Sequence, residues 1–292
     1  MKKLPNNNNF YLSLVPNIWI IIFFIIPIFI VFKTSFCESI FGIPPISSIC
    51  KFLDGHLLNI KVNFENYFRL VKESYYLLSF INTVIITTIV TFICFIFGFI
   101  MAYAICKTSE RTRSILMSMV SISLWTATLI RIYAWINLLG TNGVINNFLS
   151  HFGIAPIKFL GNYSTVCIGL VFCYLPYMIL PLYSVLEKFD KSYIEAAYDL
   201  GCSPMRTFLS VTLPLCKNGI ITGCIIVFSS AIGEFVVPEL LGSSDVLLFG
   251  RILWMEFFNN LDWPMACALS IVLMIFIITP IFIIQKRCEE TV

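Results

Sequence analysis

YLLSFINTVIITTIVTFICFIFGFIMAYAIC, running from Tyr76 to Cys106, contains no charged side chain. A bilayer hydrocarbon core about 30 Å thick is crossed by about 20 apolar residues in a helix. This run exceeds that requirement, so it reads as a transmembrane helix. Working outward, charge-free stretches of similar kind fall at 14–32, 162–186 and 263–285. Two others are interrupted: 114–139 contains Arg131, and 218–240 carries Glu234 in its second half. Six spans are predicted, four of them uninterrupted. The whole chain agrees, with 59% hydrophobic and 12% charged residues and a mean hydropathy of +0.91. Soluble domains carry about 25% charge, so lipid is the expected solvent for this chain.

Charge also orients the spans, because short cytoplasmic loops are rich in Lys and Arg. The 107–113 loop holds Lys107, Arg111 and Arg113, whereas 140–161 holds only Lys158. The first is expected inside and the second outside. Lys2 and Lys3 at one end, with Lys286 and Arg287 at the other, agree with both termini being cytoplasmic. The apolar stretch Phe10–Phe32 is longer than a signal-peptide core and is followed by no small-residue cleavage pattern, so it reads as an uncleaved first span. The organisation expected is residues 1–75 (tail, first span and outer loop), a five-helix core over 76–285, and a tail over 286–292.

Several function classes fall away. A net charge of +3 without a basic patch does not point to nucleic acid. Most of the 11 cysteines lie in apolar runs, where they behave as small hydrophobes, and no CxxC pair or nearby His completes a metal site. Cys37 and Cys50 share the outer loop, which leaves a disulfide between them open. The two histidines, His56 and His151, sit in outer loops, and no convergent catalytic set exists.

The largest cytoplasmic loop is 187–217. Ser192 followed by Glu195 has capping-box spacing, so a short helix is expected to start there. Gly201 suits the left-handed residue that ends it. Ser203 and Pro204 then form an N-cap and first-turn pair opening a second short helix toward Pro214. Ile194, Ala197, Tyr198, Phe208 and Leu209 lie among charged residues, so this elbow needs a partner surface. No GxxxxGK[ST] sequence occurs, so no phosphate-cradling loop is present in this chain.

Glu195-Ala196-Ala197, then Gly201, then Val211-Thr212-Leu213-Pro214 resembles the EAA loop of type I ABC importer permeases, with Val211 where the family pattern has Ile. The resemblance implies an all-α integral membrane protein of the MetI-like fold. It implies that Glu195, Ala196, Ala197, Gly201, Leu213 and Pro214 belong to a coupling loop seated in a cytosolic ATPase. ATP and Mg would be bound by that partner, and no cofactor by this chain. Glu195 could also simply cap its own helix.

Between 234 and 262 lie Glu234, Glu239, Asp245, Glu256 and Asp262 against one base, Arg251. A negative outer mouth concentrates cations and repels anions. Glu234 and Glu239 fall at or inside the end of the fifth span, with Pro238 expected to break the helix between them. A carboxylate at membrane depth costs about 2.5–3.5 kcal/mol and persists where it faces a wet path or a partner. Two readings stand: interfacial acids satisfied by Arg131, Arg251 or water, or a cation path. Arg131 itself could snorkel to the interface or pair with one of these acids as a gate. Trp125, Tyr133, Trp135, Tyr174 and Tyr177 are candidate aromatic faces for an ammonium, or else interfacial anchors and packing residues. Gly219-x-x-x-Gly223 and Gly98-x-x-x-Ala102 allow close helix approach, and Pro176 and Pro181 should kink the fourth span.

Gly233–Gly242, Gly250–Pro264, Leu129–Trp135 and Asn142–Phe148 resemble the corresponding stretches of putrescine-type polyamine permeases, in the same order. The resemblance implies a bacterial inner-membrane subunit working with a second homologous permease, two copies of the ATPase and an external polyamine-binding protein. Spermidine or another small cation is an alternative substrate. A proton-coupled secondary transporter using Glu234 or Glu239 is an alternative class, which leaves the 195–214 pattern without a purpose.

Overall fold

The computed structural model describes residues 14, 16–40, 42, 45–47, 50–53, 56–60, 63–190 and 192–289. Four helices are long and apolar enough to cross a membrane: α1 (Pro16–Thr34), α3 (Ser74–Lys107), α7 (Tyr163–Glu187) and α13 (Trp263–Glu289). Between them lie α2 (Glu65–Lys72), α4 (Glu110–Trp125), α5 (Thr128–Leu139), α6 (Val144–Ser150), α8 (Ser192–Asp199), α9 (Pro204–Leu215), α10 (Lys217–Ile232), α11 (Val236–Leu241) and α12 (Phe249–Trp254). With each bent helix pair taken as one span, the spans number six. α1 exposes Trp19, Phe23, Phe24, Phe29 and Ile30. A helix hydrophobic all round and exposed in this way has lipid as its solvent.

The segment between α1 and α2 adds a short hairpin to the otherwise helical fold. Strands β1 (Cys50–Leu53) and β2 (His56–Ile60) pair antiparallel, with Cys50 opposite Ile60 and a register shift between Lys51 and Phe52. Cys37 is buried, with its Sγ 3.7 Å from the Lys33 carbonyl. Cys37 is a free thiol, so the disulfide with Cys50 left open by the sequence is not formed in this structure.

The chain divides into two compact units, Met1–Leu77 with Ile252–Val292, and Leu78–Arg251. In the first, α13 packs on α1 and α2. Buried Asn66 ties α2 to the end of α1, donating from Nδ2 to the carbonyls of Ser35 and Cys37, each at 3.0 Å. Glu256 is buried within a π-helical turn (Met255–Asn259) and accepts from Tyr76 Oη and Asn260 Nδ2, both at 2.9 Å. That acid of the 234–262 segment is therefore occupied by local donors.

In the second unit α10 lies along α7. A Cβ at Gly219 would come within 2.9 Å of Val185 and 3.0 Å of the Pro181 carbonyl oxygen, and one at Gly223 would collide with Met178. The small residues thus serve close helix approach. Ser79, Thr83 and Thr87 form a buried hydroxyl stripe on α3. Thr83 Oγ1 accepts from Phe249 N–H at 2.8 Å, tying α12 to α3.

Both interrupted spans differ from the sequence expectation. The 114–139 run is two helices, α4 and α5, and the α4 span bends by 94° into the segment that follows. At the break Thr126 and Ala127 are extended, with ψ of 129° and 132°. At the end of α4 the Thr126 hydroxyl donates to Ile122 O, a side-chain-to-backbone bond of the kind that competes with helix continuation. The 218–240 run is α10, a break over 233–235, and then α11. The break does not fall at Pro238, which is buried near the start of α11, where its missing N–H goes unused.

Candidate functional site

The elbow formed by α8 and α9 is built from cap chemistry. Asp190, rather than Ser192, opens α8: Ser192 N–H donates to Asp190 Oδ1 at 3.0 Å, which corrects the expected Ser192–Glu195 box. That backbone bond holds the Asp190 carboxyl below the usual range, so its contribution to the helix start is present near neutrality and lost as pH falls. Glu195 is left exposed in the first turn, where it lines a cavity rather than closing a cap. α8 ends as expected: Gly201 has φ of +77°, and Cys202 N–H reaches back to Ala197 O at 3.0 Å. Ser203 Oγ accepts from Arg206 N–H at 3.4 Å, with Pro204 next in the first turn of α9.

Two of the apolar residues expected to await a partner are used internally. Ala197 is buried, and Phe208 sits edge-on to Phe99 (5.3 Å) and Tyr103 (6.2 Å) of α3. Leu213 packs on the core, while Ala196 and Pro214 are exposed. Tyr193, Tyr198, Leu200, Met205 and Leu209 form the outward apolar surface, with Leu200 85% exposed.

The second candidate region surrounds the break between α10 and α11. Glu234 accepts from the Tyr174 hydroxyl and, through Oε1 at 2.8 Å, from Val236 N–H. The second bond satisfies a free donor at the start of α11. Tyr177, one turn along α7, lies 6.0 Å from Tyr174 between ring centroids. The structure thus joins Glu234 to Tyr174, with Tyr177 as the ring neighbour of Tyr174. Glu239 goes elsewhere: Arg251 Nε donates to Glu239 Oε2 at 2.6 Å and Arg251 also donates to the Val246 carbonyl.

Arg131 departs from both sequence readings. It is buried, so it does not snorkel, and among the described residues no carboxylate lies within ion-pair distance. Its guanidinium donates to Cys173 O at 3.4 Å and to Thr128 Oγ1 at 3.3 Å. The peptide that holds Arg131 therefore adjoins the tyrosine that holds Glu234. Tyr133 is exposed, and Trp135 packs edge-on to Phe172 at 5.3 Å; neither joins Glu234. Tyr174 had the same residue-type signal as the other aromatics, and only the fold singles it out.

Gly250 braces this break. A Cβ there would lie 2.7 Å from Glu234 O and 2.8 Å from Gly233 O. Gly250→Ala is expected to lower stability, since overpacking costs about 1–3 kcal/mol and exceeds the gain of about 1 kcal/mol in helix propensity. Thermal unfolding of the purified chain in detergent checks this, and a midpoint equal to or above the parent would contradict it.

The family model described as "Binding-protein-dependent transport system inner membrane component" matches residues 94–289. The spermidine/putrescine transport system permease protein PotB of Haemophilus influenzae is 37% identical over 271 residues, covering 92% of this chain and 90% of that protein. PotB of Escherichia coli K12 is 35% identical over 261 residues, covering 88% and 89%. Among solved structures, a bacterial ABC transporter involved in import of the acidic polysaccharide alginate superposes with a TM-score of 0.70 at 14% identity, covering 95% of this chain and 94% of that one. A MetNI methionine ABC transporter chain in an inward-facing conformation gives 0.55 at 16% identity, covering 75% and 94%. The chain therefore belongs to the family of binding-protein-dependent transport system inner membrane components, as a multi-pass, non-catalytic permease of the MetI-like fold.

Proposed function

We propose that this chain is the permease through which an ATP-binding-cassette importer moves a polyamine, putrescine first, across the inner membrane by alternating access. The observation that carries the substrate class is Glu234 at the α10–α11 break, held by the Tyr174 hydroxyl, with the Tyr177 ring next to that of Tyr174. An alkyl diamine has ammonium ends and an apolar middle, which a carboxylate and aromatic faces suit. The relatives named for spermidine and putrescine support the same class. ATP and Mg are bound by a separate ATPase, present in two copies, whose groove receives the α8–α9 elbow at Glu195, Ala196 and Gly201, with Ala197 packed behind them. A second homologous permease and an external polyamine-binding protein complete the complex. Both termini are cytoplasmic in this reading, and residues 76–285 form the permease core.

The test is uptake of labelled putrescine by vesicles holding the assembled complex, with ATP present or absent and unlabelled spermidine as competitor. ATP-dependent uptake that spermidine barely suppresses is expected. Spermidine outcompeting putrescine would overturn the preference, and no ATP-driven uptake of either would overturn the polyamine assignment. Vanadate sensitivity separates this reading from a proton-coupled carrier.

A further inference from the structure

Two cavities meet at the inner end of α7. One is an open groove of about 870 Å³ between α4 and α7, lined by Ser114, Ser118, Ser121 and Trp125 along α4 and by Tyr183 on α7. The other, of about 490 Å³, lies under the elbow, bounded by Tyr103 and Lys107 of α3 and by Ile194, Glu195, Tyr198 and Thr212 of the elbow. Arg113 and Glu187 line both and so form the wall they share.

These opposite charges are not paired with each other: among the described residues neither is in an ion pair within 4.0 Å. Each is held by a neutral group instead. Arg113 Nη2 donates to Cys106 O at 2.9 Å, and Glu187 Oε1 accepts from the Tyr183 hydroxyl at 2.6 Å. Arg113 Nε is buried with no hydrogen-bond partner, leaving one donor of a charged group unused. A buried unused donor is costly, and a carboxylate on the same wall could satisfy it. Both groups act electrostatically on Cys106 and on the Tyr183 hydroxyl, which places them in one neighbourhood.

We propose that Arg113 and Glu187 form an exchangeable ion pair, open in this conformation, that closes the inner end of the α4–α7 groove when the elbow moves toward α3. Displacing the elbow changes the cavity beneath it, because Ile194, Glu195, Tyr198 and Thr212 form part of its wall. As that cavity shrinks, Glu187 leaves Tyr183 for Arg113, and the groove loses its continuity with the cytoplasmic side. Arg113 and Glu187 are positioning residues in this scheme. The proposal rests on the importer reading above, since it takes the elbow as the part the ATPase moves.

The experiment uses the assembled complex in vesicles, and ATP-driven uptake by the parent complex first establishes the importer reading independently. Arg113→Glu and Glu187→Arg are each expected to cut uptake at least about fivefold, within the range of coupling energies between contacting residues. The double exchange is expected to recover uptake to within about threefold of the parent, since it restores the pair with its sign reversed. A double variant no better than the worse single variant would overturn the proposal. If a charge reversal prevents assembly, Glu187→Gln decides. It is expected to raise ATP hydrolysis in the absence of substrate several-fold, and parental uptake and basal hydrolysis in that variant would overturn the pair.

Discussion

Replacing Leu200 by aspartate is expected to abolish retention of the ATPase by this chain while leaving the chain folded in the membrane. Leu200 is 85% exposed and sits beside the left-handed Gly201, at the tip of the elbow. So exposed a side chain contributes little burial, and Leu200→Asp should leave the fold intact. In the proposed complex it enters a partner's groove. Burying a leucine contributes about 1.5–3 kcal/mol, and an unpaired carboxylate in its place adds about 3–5 kcal/mol of cost. Together these correspond to a loss of at least about a thousandfold in affinity. Co-purification of the ATPase with tagged permease measures this directly. Parental retention would show that the elbow tip is not the docking surface, whatever the substrate proves to be.

Glu234→Gln is expected to lower putrescine uptake by about ten- to a hundredfold, whereas Glu239→Gln should change it less than about threefold, because the Glu239 charge is already met by Arg251, which keeps its bond to the Val246 carbonyl. The two acids are close in sequence but differently placed. Glu239 is exposed and already paired with Arg251. Glu234 is held by neutral donors alone, the Tyr174 hydroxyl and Val236 N–H, so its charge remains to be met by a cation. Glutamine keeps the shape and removes that charge. Uptake by the two variants, normalised to permease and ATPase content, makes the comparison. Equal losses in both would move the cation site away from the α10–α11 break, and no loss in either would remove it from this segment.

Much of this was legible in the residues. The start of α8 is a local exception, capped by Asp190 rather than Ser192, and the other misses depend on contacts far along the chain. The long apolar runs report their own burial in lipid, so α1, α3, α7 and α13 could be read directly. Gly201 and the Ser203-Pro204 pair could be read too, because cap chemistry is decided within a few residues. The breaks could not. At 233–235 the chain turns under a Tyr174 hydroxyl sixty residues earlier and beside a glycine at 250. Pro238, the obvious local breaker, sits where a helix tolerates it. Arg131 similarly depends on the Cys173 carbonyl of another helix, which no spacing within 114–139 reveals. Phe208 looked like part of a docking face, but its partners Phe99 and Tyr103 lie on α3.

The bend between α4 and α5 also bears on how the chain is made. At 1.5 Å per residue, α4 extends about 24 Å and α5 about 18 Å, so neither alone crosses a hydrocarbon core about 30 Å thick. α5 carries Arg131, whose lodging on the Cys173 carbonyl lies in a helix synthesised later. Released to lipid as soon as it left the ribosome, the pair would expose a guanidinium to hydrocarbon, at a cost of about 2.5–3.5 kcal/mol at mid-bilayer. The nascent segment is better kept beside the insertion machinery until α7 emerges. Insertion of the middle of this chain is thus expected to be cooperative over residues 110–187, rather than one helix at a time.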